Sequence, residues 1–342
     1  MWTRVFRIPR TGCAQKRFAL TDDISLLGCL VKLSPLFMSI SRITTRACAR
    51  ADHASALAEV HAGGPVLFAN MTGFRVAASR EFPQLDVPSV RVYVHPPGED
   101  TIMSKGLLET GKWAHAGNEA TRRRVVGLMM QLLATGGSFM DIGANIGTFS
   151  LPLLAAGYPG MLFEASPPNA YRLRASVCAI APLLHAAATV VAPMALSNGN
   201  AATACMRAAK PANMGSMAVA AMNSSGHCDG YEVPRARLDD IVFSDEGTAP
   251  AYVCANLVAL KIDVETHELE VFRGADRVLR QCRPLHIFIE GKPEVPAVKL
   301  LMRSYNYQLS ERYDRGHDSH LVLRNHRTRP PQSNVAGRPA SS

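Results

Sequence analysis

The stretch Ser138-Phe139-Met140-Asp141-Ile142-Gly143-Ala144-Asn145-Ile146-Gly147-Thr148-Phe149-Ser150 constrains the fold of this chain more than any other. Phe139 to Ile142 reads as a short buried strand. Gly143, Asn145 and Gly147 then force a tight turn, and Thr148 onward, through Phe149, Leu151, Leu153 and Leu154, opens a helix. A strand, a glycine turn and a helix form a nucleotide-binding corner: glycine lets backbone approach a ligand, and the helix N-terminus offers N–H groups without partners.

The spacing selects among nucleotides. A dinucleotide fingerprint is G-x-G-x-x-G, whereas here the pattern is Asp-x-Gly-x-Asn-x-Gly. An acid at the strand end repels a pyrophosphate and attracts a cation. S-adenosylmethionine carries an ammonium group, a carboxylate and a sulfonium, and no phosphate. Asp141 is placed to take its cationic end, and the turn N–H groups its carboxylate. Met161-Leu162-Phe163-Glu164 reads as the next strand, with Glu164 at its end, 23 positions after Asp141. An acid about 20 residues past the glycine turn is placed to bond two ribose hydroxyls. Nicotinamide cofactors are held in the same way, so an NAD-dependent oxidoreductase stays open as an alternative, against the missing third glycine and Asp141.

Composition sets the limits. The 342 residues carry a net charge of +9, but residues 1–50 hold nine Lys/Arg against two Asp/Glu, and residues 321–342 four Arg and no acid. The body between is close to neutral and shows no basic-and-aromatic stripe, so no nucleic-acid partner is expected. The eight cysteines stand singly, with no C-x-x-C pair. No metal site is expected from them, and free thiols in a reducing compartment are the reading they favour. His317 and His320 read as part of a polar turn before a strand.

Along the chain, residues 1–50 form a basic leader with the composition of a transit peptide of mitochondrial type. Its apolar run, Ile24 to Ile40, is broken by Lys32 and Pro35 and falls short of the about 20 residues a membrane span needs. Weak membrane contact is the most it supports; cytoplasmic and organellar locations both stay open. Residues 51–117 read as a lead-in: a helix at 51–60, then short strands including Val66–Phe68 and Val90–Val94. A main domain follows over 118–325. A helix opens at Asn118-Glu119 and ends at Gly136-Gly137, placing Glu119 near the cleft mouth. After Glu164 come a helix from Ser166-Pro167-Pro168 and a strand at Thr189–Ala192. Residues 198–234, small, polar and Met-rich, read as a hairpin or mobile insertion. Leu257 to Val264 is a buried strand of the parallel kind, and a helix starts near Thr266. Ligands of open α/β sheets bind at the carboxyl ends of strands, which puts Asp263, Glu265, His267 and Glu268 near the cleft. Leu285–Glu290 is a further strand ending in an acid. Val298–Arg303 is helical, Gln308–Tyr313 and His320–Arg324 suit a closing antiparallel pair, and 326–342 is a disordered tail.

Asp141-Ile-Gly-Ala-Asn-Ile-Gly147, Phe163-Glu164 with Pro167 and Asn169, Leu238-Asp239, and Lys261-Ile-Asp-Val-Glu265 with His267-Glu268-Leu269 together resemble the FkbM-type methyltransferases. The resemblance spans about residues 118–324, and Lys-Ile-Asp-Val-Glu is its specific part. It implies an α/β fold with a Rossmann-like, seven-stranded, mostly parallel sheet, helices on both faces, and methyl transfer from S-adenosylmethionine, usually to a hydroxyl of a small molecule or glycan. Asp141, Gly143, Asn145, Gly147 and Glu164 would then bind the cofactor. Asp263 or His267 would act as base, with Glu119, Glu265, Glu268 and Glu290 on the acceptor side. The family usually has glycine after Val-Glu, where this chain has Thr266. A cofactor-binding relative without catalysis is the alternative that this departure raises.

Overall fold

Runs of consecutive apolar residues between turn signals pair as parallel strands in the computed structural model of the chain. It describes residues 41–44, 66–78, 82, 84–180, 188–199, 201–243, 254, 256–291, 294–313 and 318–324, all within the unit Ser39–Ser342. The leader before residue 41, the helix read at 51–60, His317 and the tail from 326 lie outside the described residues.

In chain order the elements begin with β1 (Ser41–Thr44), β2 (Leu67–Met71), β3 (Phe74–Val76), β4 (Leu85–Val87) and β5 (Val90–Val94). Helices α1 (Ser104–Thr110) and α2 (Ala116–Leu133) follow, then β6 (Ser138–Ile142), α3 (Ser150–Ala155), β7 (Gly160–Phe163), α4 (Pro167–Ile180) and β8 (Ala188–Ala192). The next segment holds β9 (Ala195–Leu196), β10 (Thr203–Ala208), β11 (Met217–Ala220), β12 (Tyr231–Ala236) and α5 (Leu238–Val242). The chain continues with β13 (Leu257–Ile262), α6 (Glu268–Arg273), β14 (His286–Glu290), α7 (Pro296–Ser304), β15 (Tyr307–Tyr313) and β16 (Asp318–Leu323).

The main sheet has the order β1-β8-β7-β6-β13-β14-β16-β15. Strands β8, β7, β6, β13 and β14 are mutually parallel. β16 runs antiparallel to β14 and β15, and β1 antiparallel to β8. The sheet is mixed and mostly parallel, with eight strands rather than the expected seven, because Ser41–Thr44 adds an edge from what reads as leader. Alternation along the strands builds two cores. Phe139, Leu162, Ala259 and Phe288 face a layer formed by α2, α3 and α4. Met140, Met161, Leu260 and Ile287 face α5, α6 and α7. Helices therefore cover both faces, as parallel sheets require. His320 belongs to β16 and not to a polar turn: it is 4% exposed, its ring stacks on Phe288 at 4.5 Å, and burial lowers its pKa to about 4.

The lead-in forms two small ribbons, β2 with β5 and β3 with β4. Residues 198–234 are not a lone hairpin. They supply most of a second sheet, β11-β10-β12-β9, closed over Ala204, Met206, Met217 and Val233. Its outer loop is tied to the main body: Thr101 N–H donates to the Ala212 carbonyl (3.0 Å) and Asn169 Nδ2 to the Met214 carbonyl (3.0 Å). No helix among the described residues is long and apolar enough to cross a membrane.

The cysteines overturn the free-thiol reading. Cys205 in β10 is bonded to Cys228 before β12, with Cα atoms 5.4 Å apart. Cys254 before β13 is bonded to Cys282 after α6, at 4.4 Å, and Cys178 is disulfide-bonded as well. Separations of 23 and 28 residues carry no short spacing signature, so the pairing depends on the fold. Such bonds persist where thiols are oxidised. Closing loops of this size stabilises a fold by about 2–4 kcal/mol each. Treatment with a strong reductant should accordingly lower the unfolding midpoint in urea, and Cys205→Ser with Cys228→Ser should reproduce part of that loss without reductant. Identical curves under both conditions would contradict the pairing.

Candidate active site

The strand order reverses between β6 and β13, and open α/β sheets bind ligands at that point. A cleft of about 730 Å³, open mouth included, lies there; it is floored by the Gly143 turn and the ends of β7 and β13 and roofed by the second sheet. Gly143, at φ +80°, is dictated by packing: a Cβ there would come 1.8 Å from the Asp263 carbonyl oxygen. The turn is pinned by Gly143 and Ala144 N–H donating to the Phe163 carbonyl (2.9 and 2.8 Å). Asn145 takes φ +52° and Gly147 φ +94°. Helix α3 begins only at Ser150, two residues later than the sequence suggests.

Glu164 lies directly after β7, lines the cleft and is 6% exposed. One carboxylate oxygen accepts from Asn145 N–H (2.7 Å), the other from Ser166 N–H (2.8 Å). Burial raises its pKa to about 7 against those two hydrogen bonds. Glu164 and the turn thus meet on one cleft. Asp141 is placed differently. It is 1% exposed and lies behind the turn, outside the cleft lining. Ser150 Oγ donates to one oxygen, and Lys261 Nζ donates to the other at 3.2 Å.

Lys261 lines the cleft and sits between Asp141 and Asp263, 3.6 Å from the latter. Its ammonium also reaches the Gly143 carbonyl (3.3 Å) and lies 4.8 Å from the Phe149 ring centre. Burial opposes the charge, yet Asp141 and Asp263 more than offset it, so the lysine pKa rises above its usual value. Phe149 in turn meets the edge of Trp113, with centroids 5.8 Å apart.

Asp263, Glu265 and His267 line the opposite wall. Burial, helped by Asp263, raises the Glu265 pKa to about 7. Glu290 ends β14 outside the cleft lining; its carboxylate and those of Asp263 and Glu265 all come within 4.8 Å of one another. Repulsion from Asp263, more than any other cause, holds Glu290 well above the usual carboxylate range. His267 Nε2 is 3.0 Å from Ser197 Oγ, and burial, then Arg235, lowers its pKa. Glu268 and Glu119 do not line the cleft either. Glu268 accepts from Val264 N–H at 3.2 Å and caps the turn into α6. Glu119 is paired through both oxygens with Arg122 (2.7 and 2.8 Å) and accepts from Trp113 N–H (3.3 Å). Ser197, Arg235 and Trp113 carry no motif that marks them in the sequence, although Trp113 is one of only two tryptophans.

Residues 141–309 match the sequence model of the methyltransferase FkbM domain, and this implies a class I methyltransferase-like α/β fold. No curated protein matches the chain.

Thr266, where the resemblance leads one to expect glycine, is held at φ +77°, after Glu265 at φ +50°. A β-branched residue rarely adopts this region, and such strain costs about 1–3 kcal/mol. Thr266 is exposed, and its backbone N–H bonds the Glu268 carboxylate, which holds the turn in place. Thr266→Gly should therefore stabilise the fold by about 1 kcal/mol once the greater chain entropy of glycine is counted. Urea denaturation measures this, and an unchanged or lower midpoint would contradict the assignment.

Proposed function

Starting from an FkbM methyltransferase domain, we propose that this chain is an S-adenosylmethionine-dependent methyltransferase acting on a hydroxyl of a small molecule or glycan. The strands from β8 to β15 are then the seven-stranded Rossmann-like sheet of that class, with β1 as an added edge. The observation that carries this reading is the convergence of the glycine turn and the Glu164 carboxylate on one cleft at the switch point.

The residues present fit the cofactor. Glu164 offers a buried carboxylate to a ribose diol. The N–H groups of Gly143, Ala144, Asn145 and Gly147 are taken up by the Phe163, Glu164 and Ala144 oxygens, so the turn contributes close backbone approach rather than free donors. Phe163, Met194 and Leu196 give apolar surface for a purine. The indole N–H of cleft-lining Trp113 is buried without a partner among the described residues, a donor that a ligand would satisfy. Asp141 contributes by holding Lys261 and the turn, since Lys261 already meets its charge.

When bound, S-adenosylmethionine supplies an electrophilic methyl group on sulfonium. The protein's task is to hold an acceptor oxygen in line at about 3–3.5 Å and to keep water away. The second sheet and Trp113 wall the cleft against water. Asp263 and His267 line the cleft, and in this reading one of them accepts the proton of the hydroxyl. Thr266 has taken up the left-handed conformation that a glycine would occupy, so its presence alone does not favour an inactive relative.

Calorimetric titration with S-adenosylmethionine or S-adenosylhomocysteine tests this. Saturable binding is expected. Glu164→Ala should weaken it at least about tenfold, since hydrogen bonds to a charged group contribute about 1.5–3 kcal/mol. The pH dependence has a definite sign. With the free Glu164 pKa raised to about 7, protons compete with the ribose hydroxyls for the carboxylate. Affinity should rise as pH is raised through 7 and level off above it. Glu164→Gln should flatten that profile. A folded protein that binds neither ligand would overturn the proposal.

A further inference from the structure

His267 is embedded in a hydrogen-bond chain that the sequence does not announce. Ser197, just past β9, is fully buried. Its backbone is fixed from two sides. Ser197 N–H donates to the Ala236 carbonyl of β12 (2.9 Å). Its own carbonyl packs so closely on the end of α6 that a Cβ on Gly274 would come within 1.9 Å of it. Among the described residues, Ser197 Oγ meets two side chains: Arg235 Nη2 at 2.5 Å and His267 Nε2 at 3.0 Å. Arg235 also donates to Asn198 Oδ1 at 3.3 Å, Asn198 Nδ2 donates to Glu270, and Glu270 pairs with Arg273 at 2.5 Å. The chain therefore runs from a surface ion pair on α6, through the second sheet, to the cleft wall.

Proton accounting fixes its direction. A guanidinium is donor only, and a hydroxyl has one hydrogen to give. Ser197 Oγ must accept from Arg235. If it also accepted from His267, its own hydrogen would be buried with nowhere to go, which costs about 1–3 kcal/mol. The arrangement that places the hydroxyl hydrogen has Ser197 donating to a bare Nε2. The ring's hydrogen then sits on Nδ1.

We propose that Ser197 and Arg235 are positioning residues that hold His267 as the Nδ1–H tautomer, so that His267 presents a hydrogen-bond donor at the cleft wall and leaves proton abstraction to the neighbouring Asp263. The tautomer assignment stands on hydrogen bonding alone; its consequence for catalysis rests on the methyltransferase reading. The lowered basicity of His267 beside Arg235 agrees with a ring that stays neutral.

Nitrogen NMR of the full chain, with isotope-labelled histidine and no ligand at neutral pH, tests the assignment directly. The His267 signals are identified by their loss in His267→Gln. The account expects a protonated Nδ1 and a bare Nε2 in the unaltered protein. Ser197→Ala, which removes the donor, should shift the ring towards the Nε2–H form, with the backbone amide spectrum showing that the fold persists. Arg235→Lys, which keeps a donor to Ser197, should preserve Nδ1–H. If Ser197→Ala does not fold, the unaltered protein and Arg235→Lys still decide. A protonated Nε2 in the unaltered chain, or a tautomer indifferent to a folded Ser197→Ala, would overturn the proposal. Because no ligand is present, that outcome is separate from a failure of cofactor binding.

Discussion

A single ammonium group, Lys261 Nζ, sits where the two halves of the parallel sheet meet. It lies 3.2 Å from Asp141 on β6 and 3.6 Å from Asp263 at the end of β13, and it bonds the Gly143 carbonyl between them. Both Asp141 and Lys261 are almost wholly buried. Removing two charges from water is costly, and losing one partner of such a pair leaves the other uncompensated at about 3–5 kcal/mol. The group therefore holds the two strand ends and the glycine turn in one arrangement. That arrangement is what opens a cleft at the switch point, since Gly143 must pass against the Asp263 carbonyl with no room for a side chain.

From this fixed floor the remaining parts take their positions. Glu164, one strand over, is bonded to the turn through Asn145 N–H, so the second acid is registered against the first by backbone and not by chance. The second sheet closes the roof and brings Ser197 and Arg235 to His267. Its own core is small, and Cys205–Cys228 supplies a constraint that so few apolar residues do not. The carboxylates on the far wall crowd one another, and repulsion from Asp263 holds Glu290 well above the usual carboxylate range.

Local signals were legible in the sequence and distant pairings were not. The strand–turn–helix at Asp141, the acid after β7 and the acids after β13 follow from residue order alone, because glycine, strand ends and helix starts are decided by neighbours. The surroundings of Asp141 are not legible for the complementary reason. Its partner lies 120 residues away, so an acid that looks poised for a ligand is already neutralised by the chain. Glu119 and Glu268 are engaged locally instead, by groups three and four residues away. Ser197 reaches His267 across 70 residues, and Arg235 reaches Ser197 across 38. The cysteine pairs and the β10–β12 sheet likewise join segments that no short spacing connects. At Thr266 the resemblance raises only the question of a left-handed backbone, and the structure shows a threonine held in it.

The account depends most on the coupling between Asp141 and Lys261, and a double-mutant cycle in urea measures it. Asp141→Asn and Lys261→Met should each cost about 3–5 kcal/mol, while the double variant should cost less than their sum by at least about 1 kcal/mol. Strict additivity of the two losses would show that the buried pair does not hold the strand ends together and would contradict the account.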